Sequence, residues 1–265
     1  MNSARMSALF QPFPMLPGRR AQVWRHQPEY RRPRHFHAEP EINLVVRGSA
    51  VMGVGDQTVA MAPGEMLIFQ PGQDHALLEA SDDLELFVLA LRPELAERAR
   101  LSDWLRSIQS STLTRAELGA MVAELGGLGD VRNPASSEER LANIFSLAVE
   151  RAPKPHVYSR KALAVLISEQ ALSEIALARR LNASPSGVSR HFHADLGMRL
   201  VEYRSRLRLM RFVELVDAGI AVSRAALDAD FGSYAQCHRV FRRLVGCSPS
   251  AYFRGARTFV DQAKV

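Results

Sequence analysis

The stretch RHFHADLGMRLVEY, Arg190–Tyr203, has a counterpart further along the chain: RVFRRLVGCSPSAY, Arg239–Tyr252. Arg190, Phe192, Gly197 and Tyr203 return 49 residues later as Arg239, Phe241, Gly246 and Tyr252. Four matches in one register mark an internal repeat, so this part of the chain is one supersecondary unit written twice. The residues ahead of each arginine say which unit it is.

The first copy runs LSEIALARRLNASPSGVSRHFHADLG. Ser173 suits the cap of a helix whose buried stripe is Leu177, Ala178 and Leu181. Asn182 follows, a residue that tolerates the left-handed conformation of a tight turn. Ser184 then caps a second helix with Pro185 in its first position, where a missing N–H costs nothing. Two short helices about a tight turn form a helix-turn-helix. The second copy, VSRAALDADFGSYAQCHRVFRRLVG, sets Ala226 where Ala178 stands, Asp230 for Asn182, and Ser233 as the cap.

In each copy the second helix is the expected reader of DNA. Its buried face is Val188 and Phe192 in the first copy, Cys237 and Phe241 in the second. The opposite face carries Ser186, Ser189, Arg190 and His193, then Gln236, His238, Arg239 and Arg242. Arginine can pair with guanine through two bonds in the major groove, and glutamine with adenine. The other groups and the helix N-termini suit phosphates. Between the copies, Arg199–Gly219 has helical period, with Leu200, Tyr203, Leu207, Met210 and Val213 or Leu215 on its apolar side. Such a helix spans roughly 30 Å at about 1.5 Å per residue. Successive major-groove faces lie ~34 Å apart. One rigid helix therefore suits two readers on adjacent groove segments, with some bending of the DNA.

Charge divides the chain in the same place. Ser159–Val265 holds 17 Lys+Arg against 9 Asp+Glu, a balance of +8. Met1–Tyr158 holds 17 against 19, or −2, and the two sum to the formal +6. A basic C-terminal part points to a polyanionic partner. Hydrophobic residues at 47% and charged residues at 23% are an ordinary globular balance. No apolar run is long enough for a transmembrane helix, and no charged stretch precedes an apolar core, so neither membrane span nor signal peptide is expected. Two cysteines, Cys237 and Cys247, make no disulfide framework, and a cytoplasmic location fits.

Ahead of the basic part, INLVVRGS, VMGVGDQTVAM, EMLIFQPG and LELFVLAL are short apolar runs broken by Gly, Pro and Asp. They read as strands of a sandwich or small barrel over residues 1–91. Residues 92–151 turn helical. PELAERARLSDWLRSI places Leu95, Ala99 and Leu105 on one stripe, Thr114 and Glu117 have capping-box spacing, and so have Ser136 and Glu139. This segment is expected to pack on the barrel or to form a dimer interface. Pro153 and Pro155 mark a linker over 152–158, the double helix-turn-helix fills 159–257, and 258–265 is a tail.

The stretch HFHAEPE, His35–Glu41, needs its own account. Residues two apart on a strand share a face, so His35 and His37 can converge, with Glu41 and the later His75 near them. Three histidines and a carboxylate could hold a divalent transition metal such as Fe, Mn, Ni, Cu or Zn. The same side chains could instead line a metal-free effector pocket, or be a structural remnant.

The region Ser159–Phe253, and FGSYAQCHRVFRRLVGCSPSAYFR above all, resembles the AraC/XylS family of bacterial transcription regulators. Asn182 and Asp230 stand where that family often has glycine, and His191 where it has an apolar residue. His35, His37, Glu41 and Gly48, then Gly64, Gly72 and His75, resemble the two motifs of the cupin barrel, with Gln70 in place of a proline, Glu29 of a glycine and Glu79 of an asparagine. The resemblance implies a multidomain α and β protein: a cupin-like barrel with flanking helices that senses a small-molecule effector, then an all-α double helix-turn-helix on double-stranded DNA. It implies a homodimer and no required cofactor. The competing reading is a cupin metalloenzyme, such as a dioxygenase or isomerase. It rests wholly on the histidine set and leaves the repeat and the charge split unexplained.

Overall fold

The computed structural model describes residues 9–26, 32–98, 110–128, 134–168 and 172–254. Among the described residues, ten short strands build two five-stranded sheets. One is ordered β1 (Leu9–Phe10), β3 (His35–Phe36), β8 (His75–Ala80), β5 (Ala50–Val54), β6 (Gln57–Met61). The other is ordered β10 (Ser111–Thr112), β7 (Glu65–Phe69), β4 (Glu41–Arg47), β9 (Glu85–Leu91), β2 (Ala21–Arg25). Strand β10 falls in the segment expected to be wholly helical and pairs antiparallel with β7.

Side chains alternate across a strand, and the second sheet uses both faces. Val45, Leu67, Phe69 and Leu86 point into the barrel with Met52, Val54 and Met61 of the first sheet. Ile42, Leu44, Met66, Ile68, Phe87 and Leu89 point the other way. A strand buried on both faces reads as a continuous apolar run, which is how INLVV and EMLIF read.

The outer face is covered by α2 (Arg115–Gly127) and α3 (Pro134–Arg151), through Met121, Leu125, Leu141, Phe145 and Ala148. Their apolar stripe thus serves packing on the barrel. Thr114 and Glu117 form the expected capping box. Helix α3 begins at Pro134, two residues ahead of the start expected at Ser136. The buried Glu138 accepts from the backbone N–H and the guanidinium of Arg20, tying α3 to the chain just before β2. In α1 (Pro93–Arg98) Leu95 packs on the same core, while Ala99 and Leu105 lie outside the described residues, as do Glu29 and the tail 258–265.

The linker is shorter than expected, since α4 (Val157–Ser168) starts inside it. Then come α5 (Glu174–Arg180), α6 (Pro185–Leu196), α7 (Leu200–Asp217), α8 (Val222–Asp228), α9 (Tyr234–Val245) and α10 (Pro249–Arg254). The repeat is visible as paired cores. Leu177, Ala178, Val188 and Phe192 pack in one, Ala225, Ala226, Cys237 and Phe241 in the other. Phe192 meets Tyr203 edge-on at 5.4 Å, and Phe241 meets Tyr252 at 5.5 Å. Both turns use the left-handed region, at Asn182 (φ 51°) and Asp230 (φ 60°). Gly197 and Gly246 end the reading helices there as well, at φ 67° and 84°.

Candidate DNA-reading face and buried histidine site

Ser184 accepts from the Gly187 N–H and Ser233 from the Gln236 N–H, so each reading helix starts at its expected cap. Burial of Val188, Phe192, Cys237 and Phe241 turns the other face outward. Ser186, Arg190, Arg239 and Arg242 are exposed, and Ser189, Gln236, His238 and His193 half-buried. Three of these are engaged within the protein, Ser186 through its hydroxyl, 3.4 Å from that of Ser184. Gln236 Oε1 accepts from the Gly232 N–H at 2.8 Å, bracing the second turn. His193 Nε2 lies 2.7 Å from Asp56 Oδ2 of the barrel, so α6 offers His193 to DNA only by giving up that contact.

Helix α7 carries a residue that the sequence reading passed over. Its buried side holds Leu200, Tyr203, Leu207 and Val213 as expected, with Leu209 and Phe212 on the flank facing the second repeat. Arg206 is buried among them at 2% exposure. A buried charge needs a partner. Arg206 Nη1 donates to Asp74 Oδ1 at 2.6 Å and to the Gly72 carbonyl at 2.9 Å, Nη2 donates to Glu202 at 2.6 Å, and the guanidinium lies 4.6 Å over the Phe36 ring. Burial alone would raise the Asp74 carboxyl; Arg206, then Arg34, hold it below its usual range. An arginine at i+3 from Tyr203 on an apolar stripe was the signal that could have revealed this.

Three of the four residues singled out in the barrel are histidines that converge. His35 and His75 face each other across β3 and β8, and one ring nitrogen of each of His35, His37 and His75 lies within 4.8 Å of the others. Ring centroids are 4.5 to 5.6 Å apart. His75 stacks on Phe69, and His37 meets Phe13 edge-on. Glu41 Oε2 stands 3.2 Å from His37 Nε2 and 3.7 Å from His75 Nε2. All four side chains are buried. Burial, and then the neighbouring His75, push the His35 ring far below the usual histidine range, so it is neutral at pH 7. Burial would raise the Glu41 carboxyl, but His75 and the hydrogen bond from His37 hold it well below the carboxylate range. A buried carboxylate among three imidazoles suits a borderline cation of the first transition row. Glu79, by contrast, is exposed on β8.

Paired reading helices joined by one helix, and docked on a barrel with a buried polar centre, define a two-domain DNA-binding regulator. Residues 20–150 match the AraC-like ligand binding domain, and residues 177–255 match a helix-turn-helix domain. The chain belongs to the AraC family of transcription regulators. It is 22% identical over 247 residues to the arabinose operon regulatory protein of Escherichia coli K12, covering 84% of this chain and 83% of that one. Among solved structures, ToxT from Vibrio cholerae O395 is similar over 92% of this chain and 98% of its own, at 12% identity and a TM-score of 0.48. The C-terminal domain of AraT from Geobacillus stearothermophilus matches 37% of this chain and 85% of its own, at 21% identity and 0.36. No helix among the described residues is long and apolar enough to cross a membrane.

Proposed function

We propose that this regulator reads two adjacent major-groove segments with α6 and α9, under control of an effector bound in the barrel. The observation that carries the reading is the in-register pair of exposed arginines, Arg190 and Arg239, on helices capped and buried alike. Helix α7, with 18 residues, spans roughly 27 Å at about 1.5 Å per residue. That falls short of the ~34 Å groove repeat, so both helices engage only on DNA bent toward the protein. The reading assigns the barrel sensing rather than turnover, and it places the protein in the cytoplasm with the DNA. A metalloenzyme reading leaves the two reading helices without a task. The inner faces of α2 and α3 are taken by the sheet, so a homodimer would pair through their outer faces.

Selection of bound sites from a random duplex pool by the full-length protein tests this. The expected outcome is two short elements about one helical turn apart, ~10 bp centre to centre. A homodimer adds a second copy of that arrangement. Recovery of no preferred sequence, or of a single element only, would refute the two-reader arrangement.

A further inference from the structure

The repeat sets the last turns of the two reading helices in register. With the offset of 49 residues, His193 and Ala194 of α6 correspond to Arg242 and Arg243 of α9, and Asp195 to Leu244. Helix α6 then carries one arginine and one aspartate, and α9 three arginines and no acid. Arg239, Arg242 and Arg243 are exposed, and no described residue forms an ion pair with any of them. Burial of Cys237, Phe241 and Leu244 turns all three outward. Successive residues of a helix are rotated by about 100°, so Arg242 and Arg243 diverge to either side of the direction taken by Arg239. A helix lying in the major groove faces the bases and has one phosphate strand on each side of it. With Arg239 over the groove floor, Arg242 and Arg243, one turn later, point at the two walls.

The same turn of α6 meets the barrel instead. His193 Nε2 lies 2.7 Å from Asp56 Oδ2, the Ala194 carbonyl accepts from Gln57 Nε2 at 3.1 Å, and the Leu196 carbonyl accepts from Gln73 Nε2 at 3.0 Å. A carboxylate of the barrel holds at His193 the place that a phosphate oxygen would take at Arg242. The barrel meets the second copy through apolar side chains, Leu9 at Gly246 and Phe10 and Phe36 in its core, and these leave the arginines of α9 open. We infer that the two readers are unequal. Helix α9 is the anchor: Arg242 and Arg243 clamp the phosphates of both strands on duplex DNA of any sequence. Helix α6 holds no such clamp and contributes base contacts. The inference rests on the two-reader arrangement above and adds Arg243 to the residues that meet DNA. Each phosphate neutralised releases counterions, so an arginine on a phosphate shows in the salt dependence of binding, whereas one on a base edge shows in the preference between sequences.

The test is fluorescence anisotropy of the full-length protein on the selected duplex and on an unrelated duplex of equal length, each over a series of KCl concentrations. Arg242→Ala and Arg243→Ala are each expected to weaken binding by the same factor on both duplexes. Each is expected to make the slope of log affinity against log salt shallower by about 0.9, the share of one phosphate contact. Arg242→Lys and Arg243→Lys keep the charge and are expected to keep the slope. His193→Ala, the counterpart of Arg242→Ala, is expected to leave the slope on unrelated DNA unchanged. A slope unchanged in both arginine-to-alanine variants overturns the clamp. So does a loss confined to the selected duplex, which makes the pair base readers. A slope that His193→Ala lowers as much as Arg242→Ala overturns the inequality of the readers. Wild-type protein that prefers no duplex, while both alanine variants still lose slope, sinks the two-reader arrangement and leaves the clamp standing. Wild-type protein that binds neither duplex overturns both.

Discussion

Arg190 and Arg239 hold equivalent places in the two copies, exposed on helices whose opposite faces are fixed by Phe192 and Phe241. Replacing either by alanine is expected to cost ~1–3 kcal/mol on the selected site, measured by fluorescence anisotropy. The losses should add in the double variant, because the side chains share no partner. A loss equal on selected and unrelated DNA would make them phosphate contacts instead. This much was legible in the sequence, since caps, turn residues and buried aromatics are local features that helical periodicity arranges. Arg206 was not, because its partners Asp74 and Gly72 are more than 130 residues away in sequence. Nor was the engagement of His193 by Asp56, 137 residues apart.

Among elements, the α2–α3 pair carries the clearest pH dependence. Glu117 closes the capping box of α2 and is bound by the guanidinium of Arg151 at the end of α3. The Arg151 hydrogen bonds, then those from Thr114, hold the Glu117 carboxyl down from 4.5 to about 2. A depressed carboxyl stabilises the fold above its unfolded value and loses that contribution as the pH falls through the folded one. Wild type should therefore exceed Glu117→Gln in urea midpoint at pH 6, with the gap closing between about 4.5 and 2. A gap that persists at pH 3 undiminished would deny the ion pair its role. The capping box of Thr114 was readable from four residues, while the reach of Arg151 from the next helix was not.

At the scale of the whole molecule, the barrel and the helical domain interlock. The Gly55–Asp56 turn sits on the C-terminal end of α6, with the Asp56 N–H donating to the Gly197 carbonyl at 2.9 Å. A Cβ on Gly55 would lie 2.0 Å from that oxygen, at a φ of +58° where side chains are already strained. Gly55→Ala is expected to part the domains, seen as faster cleavage of the 152–156 connection in limited proteolysis while the strand signal in circular dichroism stays. Unchanged cleavage would show that the turn does not hold them. Strand β1 adds to the interlock, with Phe10 beside Phe36 at 5.6 Å and Leu9 against Gly246 of the second repeat.

The sequence by itself determined the caps, turns and presence of strands, because each rests on residues within one or two turns of one another, and it determined the repeat and the charge division, because both are read from residue order and composition without any contact. It also brought His35 and His37 to one face by the two-residue period of a strand. The tertiary structure decided what those histidines share space with, which side of the barrel the helical domain covers, and that α2 and α3 spend their apolar stripe on a sheet. Those outcomes depend on which distant strands pair and which faces are left to bury, and burial is settled by the whole packed molecule rather than by any one segment.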